Sequence, residues 1–153
     1  MGTRSSIERV NSTLPGRSLL LGLAVVGLVF GGPSDTFAAS KVERVQFVAK
    51  SVGMKRNVHV YLPDQYMKDK DARFPVVYAL HGLGGTGGGF FESANLKSHM
   101  DSLIRSKKVR PVIIVAPDGD KGYWTNQLRV KGKLSKRWGD YVSKDLVAEV
   151  DSR

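Results

Sequence analysis

The chain has 153 residues, room for one domain, with 24 Lys and Arg against 14 Asp and Glu, a net charge of +10 and no cysteine. The absence of cysteine excludes a disulfide framework and a lipid-modified cysteine. The charge favours anionic neighbours. However, Lys68, Lys70, Lys107, Lys108, Arg110, Lys131, Lys133, Lys136 and Arg137 are dispersed among loops and acidic residues rather than interleaved with aromatics, so the composition reads as a solvated basic surface and not a nucleic-acid interface.

Taken in chain order, Arg4, Arg9 and Arg17 lead into an uncharged apolar stretch over 19–30, followed by the small residues of Thr36-Phe37-Ala38. Basic, apolar and small segments in that order predict a secretory signal peptide over residues 1–38 and a bacterial, exported mature domain over 39–153. The alternative is an uncleaved anchor, but the apolar stretch is shorter than the roughly 20 residues a span needs, so no stable membrane insertion is expected after cleavage. Cleavage after Ala38 leaves 21 basic and 12 acidic residues, a net charge of +9.

Residues 43–51 alternate apolar and polar, with Val45, Phe47 and Val48 as core candidates, and Gly53 breaks the run. Residues 57–62 alternate again, Val58, Val60 and Leu62 on one side and His59 and Tyr61 on the other, which predicts an antiparallel hairpin. His59 has no Cys, Asp or Glu at ligand spacing, so it reads as a structural or surface histidine and no metal is implied. Pro63-Asp64 ends the strand, and Lys68-Asp69-Lys70-Asp71 reads as a solvated loop.

Residues 75–80 form a continuous apolar run of strand length, the pattern of a strand covered on both faces in an α/β sheet. It runs directly into His81-Gly82-Leu83-Gly84-Gly85, where glycines let the backbone turn and present bare N–H groups. Leu96, Met100, Leu103 and Ile104 then fall at helical spacing, with Ser93 or Asn95 placed to cap the helix. Residues 111–116 predict a second buried strand, stopped by Pro117-Asp118-Gly119, so strand, helix and strand form a parallel crossover. A last helix is predicted from about Asp140, with Trp138, Val142, Leu146 and Val150 as its apolar stripe and Asp145, Glu149 and Asp151 facing elsewhere. The class is α/β. Ending on a helix, the plan leaves an apolar strand at a sheet edge, so the domain reads as incomplete.

The loop Gly82-Leu83-Gly84-Gly85-Thr86-Gly87 also satisfies the dinucleotide fingerprint G-x-G-x-x-G. That fingerprint needs an acidic residue ending the next strand roughly 20 residues on. Asp101 has the spacing but falls in the predicted helix, Asp118 comes too late, and a hairpin precedes the loop. No cofactor is implied. A third class is a non-catalytic secreted carbohydrate binder using Trp124, Asn126 and Trp138 as a platform, against which stands ordinary packing of both indoles.

Five segments in order, Lys55-Arg56-Asn57-Val58-His59-Val60-Tyr61-Leu62-Pro63, Tyr78-Ala79-Leu80-His81-Gly82-Leu83-Gly84-Gly85, Pro111-Val112-Ile113-Ile114-Val115-Ala116-Pro117-Asp118-Gly119, Tyr123-Trp124-Thr125-Asn126 and Trp138 through Val147, resemble the esterase D family of α/β-hydrolases. This family includes secreted feruloyl and acetylxylan esterases, S-formylglutathione hydrolase and mycolyltransferases. The resemblance implies an α/β-hydrolase fold truncated before the nucleophile-elbow strand. It also implies a serine esterase or acyltransferase acting on acylated carbohydrate, such as cell-wall or plant polysaccharide, or on small esters. By position, the backbone N–H of Leu83 would be one oxyanion donor, with Gly82 and Gly84 setting the loop geometry and His81, Trp124 and Asn126 lying toward the substrate. No G-x-S-x-G occurs in the 153 residues, and His59, His81 and His99 all precede the place where the serine would fall, so the triad is expected beyond this chain and the chain alone is expected to be inactive.

Overall fold

The alternating runs pair as the hairpin the sequence predicts, β1 (Lys41–Ala49) antiparallel to β2 (Met54–Leu62), with Val45 opposite Val58 and Phe47 opposite Arg56. The computed structural model describes residues 39–69, 71–121, 123–128 and 135–153; the predicted signal peptide over 1–38 lies outside the described residues, as do Lys70, Lys131 and Lys133. The hairpin turn closes at Gly53, which has φ +67 and donates its N–H to the Ala49 carbonyl at 2.9 Å. An L side chain is strained in that conformation.

After a short helix, α1 (Asp64–Lys68), come β3 (Val76–Tyr78), α2 (Gly89–Glu92), α3 (Leu96–Arg105) and β4 (Ile113–Pro117). β3 and β4 run parallel, Val76 beside Ile113 and Tyr78 beside Val115, while β4 runs antiparallel to β2. The sheet order is therefore β1-β2-β4-β3.

β4 is one of the two inner strands, and its alternation feeds two layers. Val115 packs with Val58, Ala49, Val52 and the last helical segment; Ile114 packs on the opposite face with Tyr61, Val112 and Ile104 of α3. Leu96 and Met100 join that second layer, as their helical spacing predicts. Among the described residues no helix is long and apolar enough to cross a membrane.

Several expectations are corrected, beginning with Val48, a core candidate in the sequence that is exposed in the structure. The strand read over 75–80 is only Val76–Tyr78 and is not covered on both faces, because β3 lies at the end of the sheet order. Val76 and Tyr78 pack inward, whereas Val77, pointing the other way, is half exposed. Neither capping candidate caps α3: Asn95 sits at its start in the left-handed region (φ 50), its side chain bonding nothing in the helix, and the Ser93 N–H instead closes α2 by donating to the Gly89 carbonyl.

The last helix is not a plain α-helix. α4 (Trp138–Asp140) passes through a π turn over Tyr141–Asp145 into α5 (Leu146–Asp151). The stripe expected from α periodicity omitted Tyr141, which is fully buried, as is Leu146 five residues on. A turn closed by i→i+5 bonds brings such a pair onto one face. The turn also brings Asp145 inward, and its carboxylate accepts the Ser51 N–H of the β1–β2 turn at 2.7 Å rather than facing away.

Candidate functional site

The loops after β3 and β4 leave the carboxyl ends of two parallel neighbours, the end at which open α/β sheets place their ligands. In the first loop the Gly85 N–H donates to the Gly82 carbonyl at 3.1 Å, and Gly84 has φ +76. A type II turn requires a left-handed residue at that third position. At Gly82 φ is not positive and a Cβ would meet nothing within 4 Å, so Gly84 carries the conformational demand. The tip stands out of the surface, with the Leu83 side chain 82% exposed. The Leu83 N–H bonds no group among the described residues.

The base of the same loop is fixed at both ends. His81 is buried; its Nε2 accepts the Gly119 N–H at 2.9 Å, and its Nδ1 lies 2.8 Å from the Gly82 carbonyl. Only the neutral ring protonated on Nδ1 satisfies both partners, since Gly119 can only donate and Gly82 only accept. At the far end the Gly87 N–H donates to Asp118 Oδ1 at 2.8 Å. A Cβ on Gly87 would stand 2.1 Å from the Ala116 carbonyl oxygen, so only glycine lets the loop lie this close to β4. The other Asp118 oxygen, Oδ2, accepts from Asn57 Nδ2 at 3.2 Å.

An aromatic cluster supports the second loop. The Trp124 indole N–H donates to the His81 carbonyl at 2.9 Å, and its ring meets His81 edge-on at a centroid distance of 5.0 Å. Trp124 stacks on Tyr141 (6.4 Å) and meets Trp138 edge-on (6.2 Å). The Arg56 guanidinium lies 4.7 Å over Trp138 and reaches the Gly119 carbonyl at 3.4 Å. Burial pushes the Tyr141 phenol well above its ordinary pKa, and its hydroxyl has no partner among the described residues.

The structure brings His81, Trp124 and Leu83 together around one loop. Asn126 is committed elsewhere: its Oδ1 accepts the Asp140 N–H at 3.1 Å, serving as a cap for α4 from outside the helix. Trp138 is 2% exposed, which leaves no ring face for a carbohydrate platform. His59 sits partly buried beside Phe91 and Gly88. Sequence reasoning gave Asp118 and Asn57 no place in the site, reading the first as a strand stop and as too late for a dinucleotide acid. The available signal was a carboxylate at the carboxyl end of a parallel strand beside a glycine loop.

The esterase family model, described as "Putative esterase", matches residues 49–153. An endo-1,4-beta-xylanase/feruloyl esterase of Xylanibacter ruminicola is 30% identical over 112 residues, which cover 71% of this chain and 15% of that protein. A ferulic acid esterase of known structure superposes with a TM-score of 0.64 at 25% identity, over 74% of this chain and 44% of that one. A ferulic acid esterase of Anaeromyces mucronatus superposes with a TM-score of 0.60 at 17% identity, over 80% and 46%, a likeness of fold alone. The chain thus spans less than half the length of each of these three proteins.

Proposed function

This chain belongs to the esterase family of α/β-hydrolases, and from that membership we propose that it supplies the oxyanion loop of an exported serine esterase or acyltransferase. The observation that carries the reading is the glycine loop at the carboxyl end of β3, rigid at its base and offering the unbonded Leu83 N–H at its tip. A serine attacking an ester carbonyl turns the carbonyl oxygen into an oxyanion, and a preorganised backbone N–H there stabilises the transition state more than the substrate. The serine is proposed to lie at the end of a further strand that pairs with β3, with its Asp and His partners later in the sequence. On this reading residues 1–153 alone do not turn over esters, residues 1–38 direct export, and the substrate is an acylated carbohydrate or a small ester, in line with the feruloyl esterase relative.

Leu83 offers a direct test, because it occupies the second position of the Gly82–Gly85 turn, where proline is favoured in a type II turn. In the full-length protein Leu83→Pro removes the N–H and keeps the turn. The expected result with an aryl ester is a fall in kcat of about 100- to 1000-fold, the usual cost of one lost oxyanion donor, with KM little changed. An unchanged kcat would remove Leu83 from the oxyanion hole.

A further inference from the structure

The hydrogen bonds around Asp118 form a directed relay that begins on the outermost strand. Gln46 Nε2 of β1 donates to Asn57 Oδ1 of β2 at 3.0 Å, and Asn57 Nδ2 donates to Asp118 Oδ2 at 3.2 Å. Asp118 Oδ1 accepts the Gly87 N–H at 2.8 Å. The chain of donors has one consistent sense, because an ionised carboxylate only accepts and an amide must therefore turn its NH2 toward it. The main chain reinforces the relay, with the Asp118 N–H donating to the Asn57 carbonyl at 2.9 Å. Gly119, the next residue, holds the other end of the loop through His81 Nε2 at 2.9 Å.

From this geometry we infer that Asp118, oriented by Asn57 and Gln46, is the positioning residue for the glycine loop. It touches no reacting atom. It fixes Gly87, so that the loop between His81 and Gly87 is clamped at two points just past the end of β4 and the Leu83 N–H is aimed before any ester arrives. Its catalytic consequence rests on the oxyanion reading above; its effect on the loop does not.

The test exchanges the two partners. Asn57→Asp alone sets a second carboxylate against Asp118 Oδ2, a mismatch of two acceptors that no side-chain rotation relieves. Asn57→Asp combined with Asp118→Asn restores every donor–acceptor pair: the new amide donates to the new carboxylate and accepts from Gly87, while the second carboxylate oxygen still accepts from Gln46. Amide hydrogen exchange at Gly87, followed by NMR in the full-length protein, should accelerate about ten-fold or more in Asp118→Ala and in Asn57→Asp, and return toward the wild-type rate in the double exchange. Exchange at Gly53, in the remote hairpin turn, serves as the control for global loosening. An unchanged rate at Gly87 in Asp118→Ala, or failure of the double exchange to recover it, would overturn the inference. Ester turnover separates the two readings. If the loop and kcat fall and recover together with KM steady, positioning and oxyanion roles both stand. If exchange responds while kcat does not, the relay stands and the oxyanion assignment of Leu83 falls.

Discussion

On one face of the sheet α3 lays aliphatic side chains, Leu96, Met100 and Ile104, against Tyr61, Val112 and Ile114; on the other face Trp138, Tyr141 and Phe47 form an aromatic layer joined by Trp124. The aliphatic layer joins strands and helix with Ala79, Val109 and Val112 of the connections, and its side chains make no hydrogen bond to the glycine loop among the described residues. The aromatic layer also carries the site, because Trp124 reaches from it to the His81 carbonyl and Arg56 reaches from Trp138 to the Gly119 carbonyl. Aliphatic packing is non-directional, whereas indoles and a guanidinium bring fixed donors with their bulk. Stability and loop geometry are therefore separable on one face and coupled on the other.

Truncating one residue in each layer is the strongest way to break that comparison. Trp138→Ala should cost about 3–5 kcal/mol in urea denaturation and shift the Trp124 indole N–H signal as the His81 contact loosens. Ile104→Ala, in the buried part of its layer, should cost about 2–4 kcal/mol and leave that signal in place. Equal disturbance of the indole by both variants would mean that the layers are not independent.

A smaller effect sharpens the contrast within the loop. Gly87→Ala drives a methyl into the Ala116 carbonyl and should cost about 1–3 kcal/mol, whereas Gly82→Ala meets open space and should stay within about 0.5 kcal/mol. Thermal melts of the two variants check this, and similar losses would show that the loop base is not tightly held.

The smallest effect is a pH dependence on the aliphatic face. Burial alone would raise the Asp101 carboxyl, but hydrogen bonds from Lys97 and from the Tyr61 hydroxyl, both 2.8 Å, outweigh it and hold the pKa below the ordinary carboxylate value. A carboxyl lowered on folding stabilises the fold above its unfolded pKa, and that contribution is lost as pH falls through the lower folded value. The stability gap between wild type and Asp101→Asn should therefore be full at neutral pH and shrink below about pH 4. It should be under about 1 kcal/mol, since the pair is partly exposed and screened. A gap that widened on acidification would contradict the assignment.

What the sequence disclosed and what it hid follow from the range of the interactions. Val58, Val60 and Leu62, or Leu96, Met100 and Ile104, announce their elements because burial repeats at the period of a strand or helix. Gly84 announced a turn because the left-handed conformation is a local demand. Asp118 was legible only as a carboxylate at a strand end, since its partners Asn57 and Gly87 lie 61 and 31 residues away. Asn95 misled for the opposite reason: its position before a helix suggested a cap, but its left-handed backbone leaves the side chain without a helix N–H to accept. Val77 reads as core in the sequence, and its exposure depends on which strand stands at the sheet edge, a fact of topology rather than pattern.

The π turn at Tyr141–Asp145 works as a phase shifter between two clients of one helix. The start of the helix must present Trp138 to Trp124 and Arg56, and its end must present Leu146 to the sheet. The widened turn rotates one segment against the other so that both can be met, and Tyr141 drops into the seam. Removing a residue at the exposed Ser143 or Lys144 would close the helix into a regular spiral and force a choice between its clients. In that sense the extra residue is the coupling between the interior and the loop: the helix is wound to suit the site at one end and the core at the other.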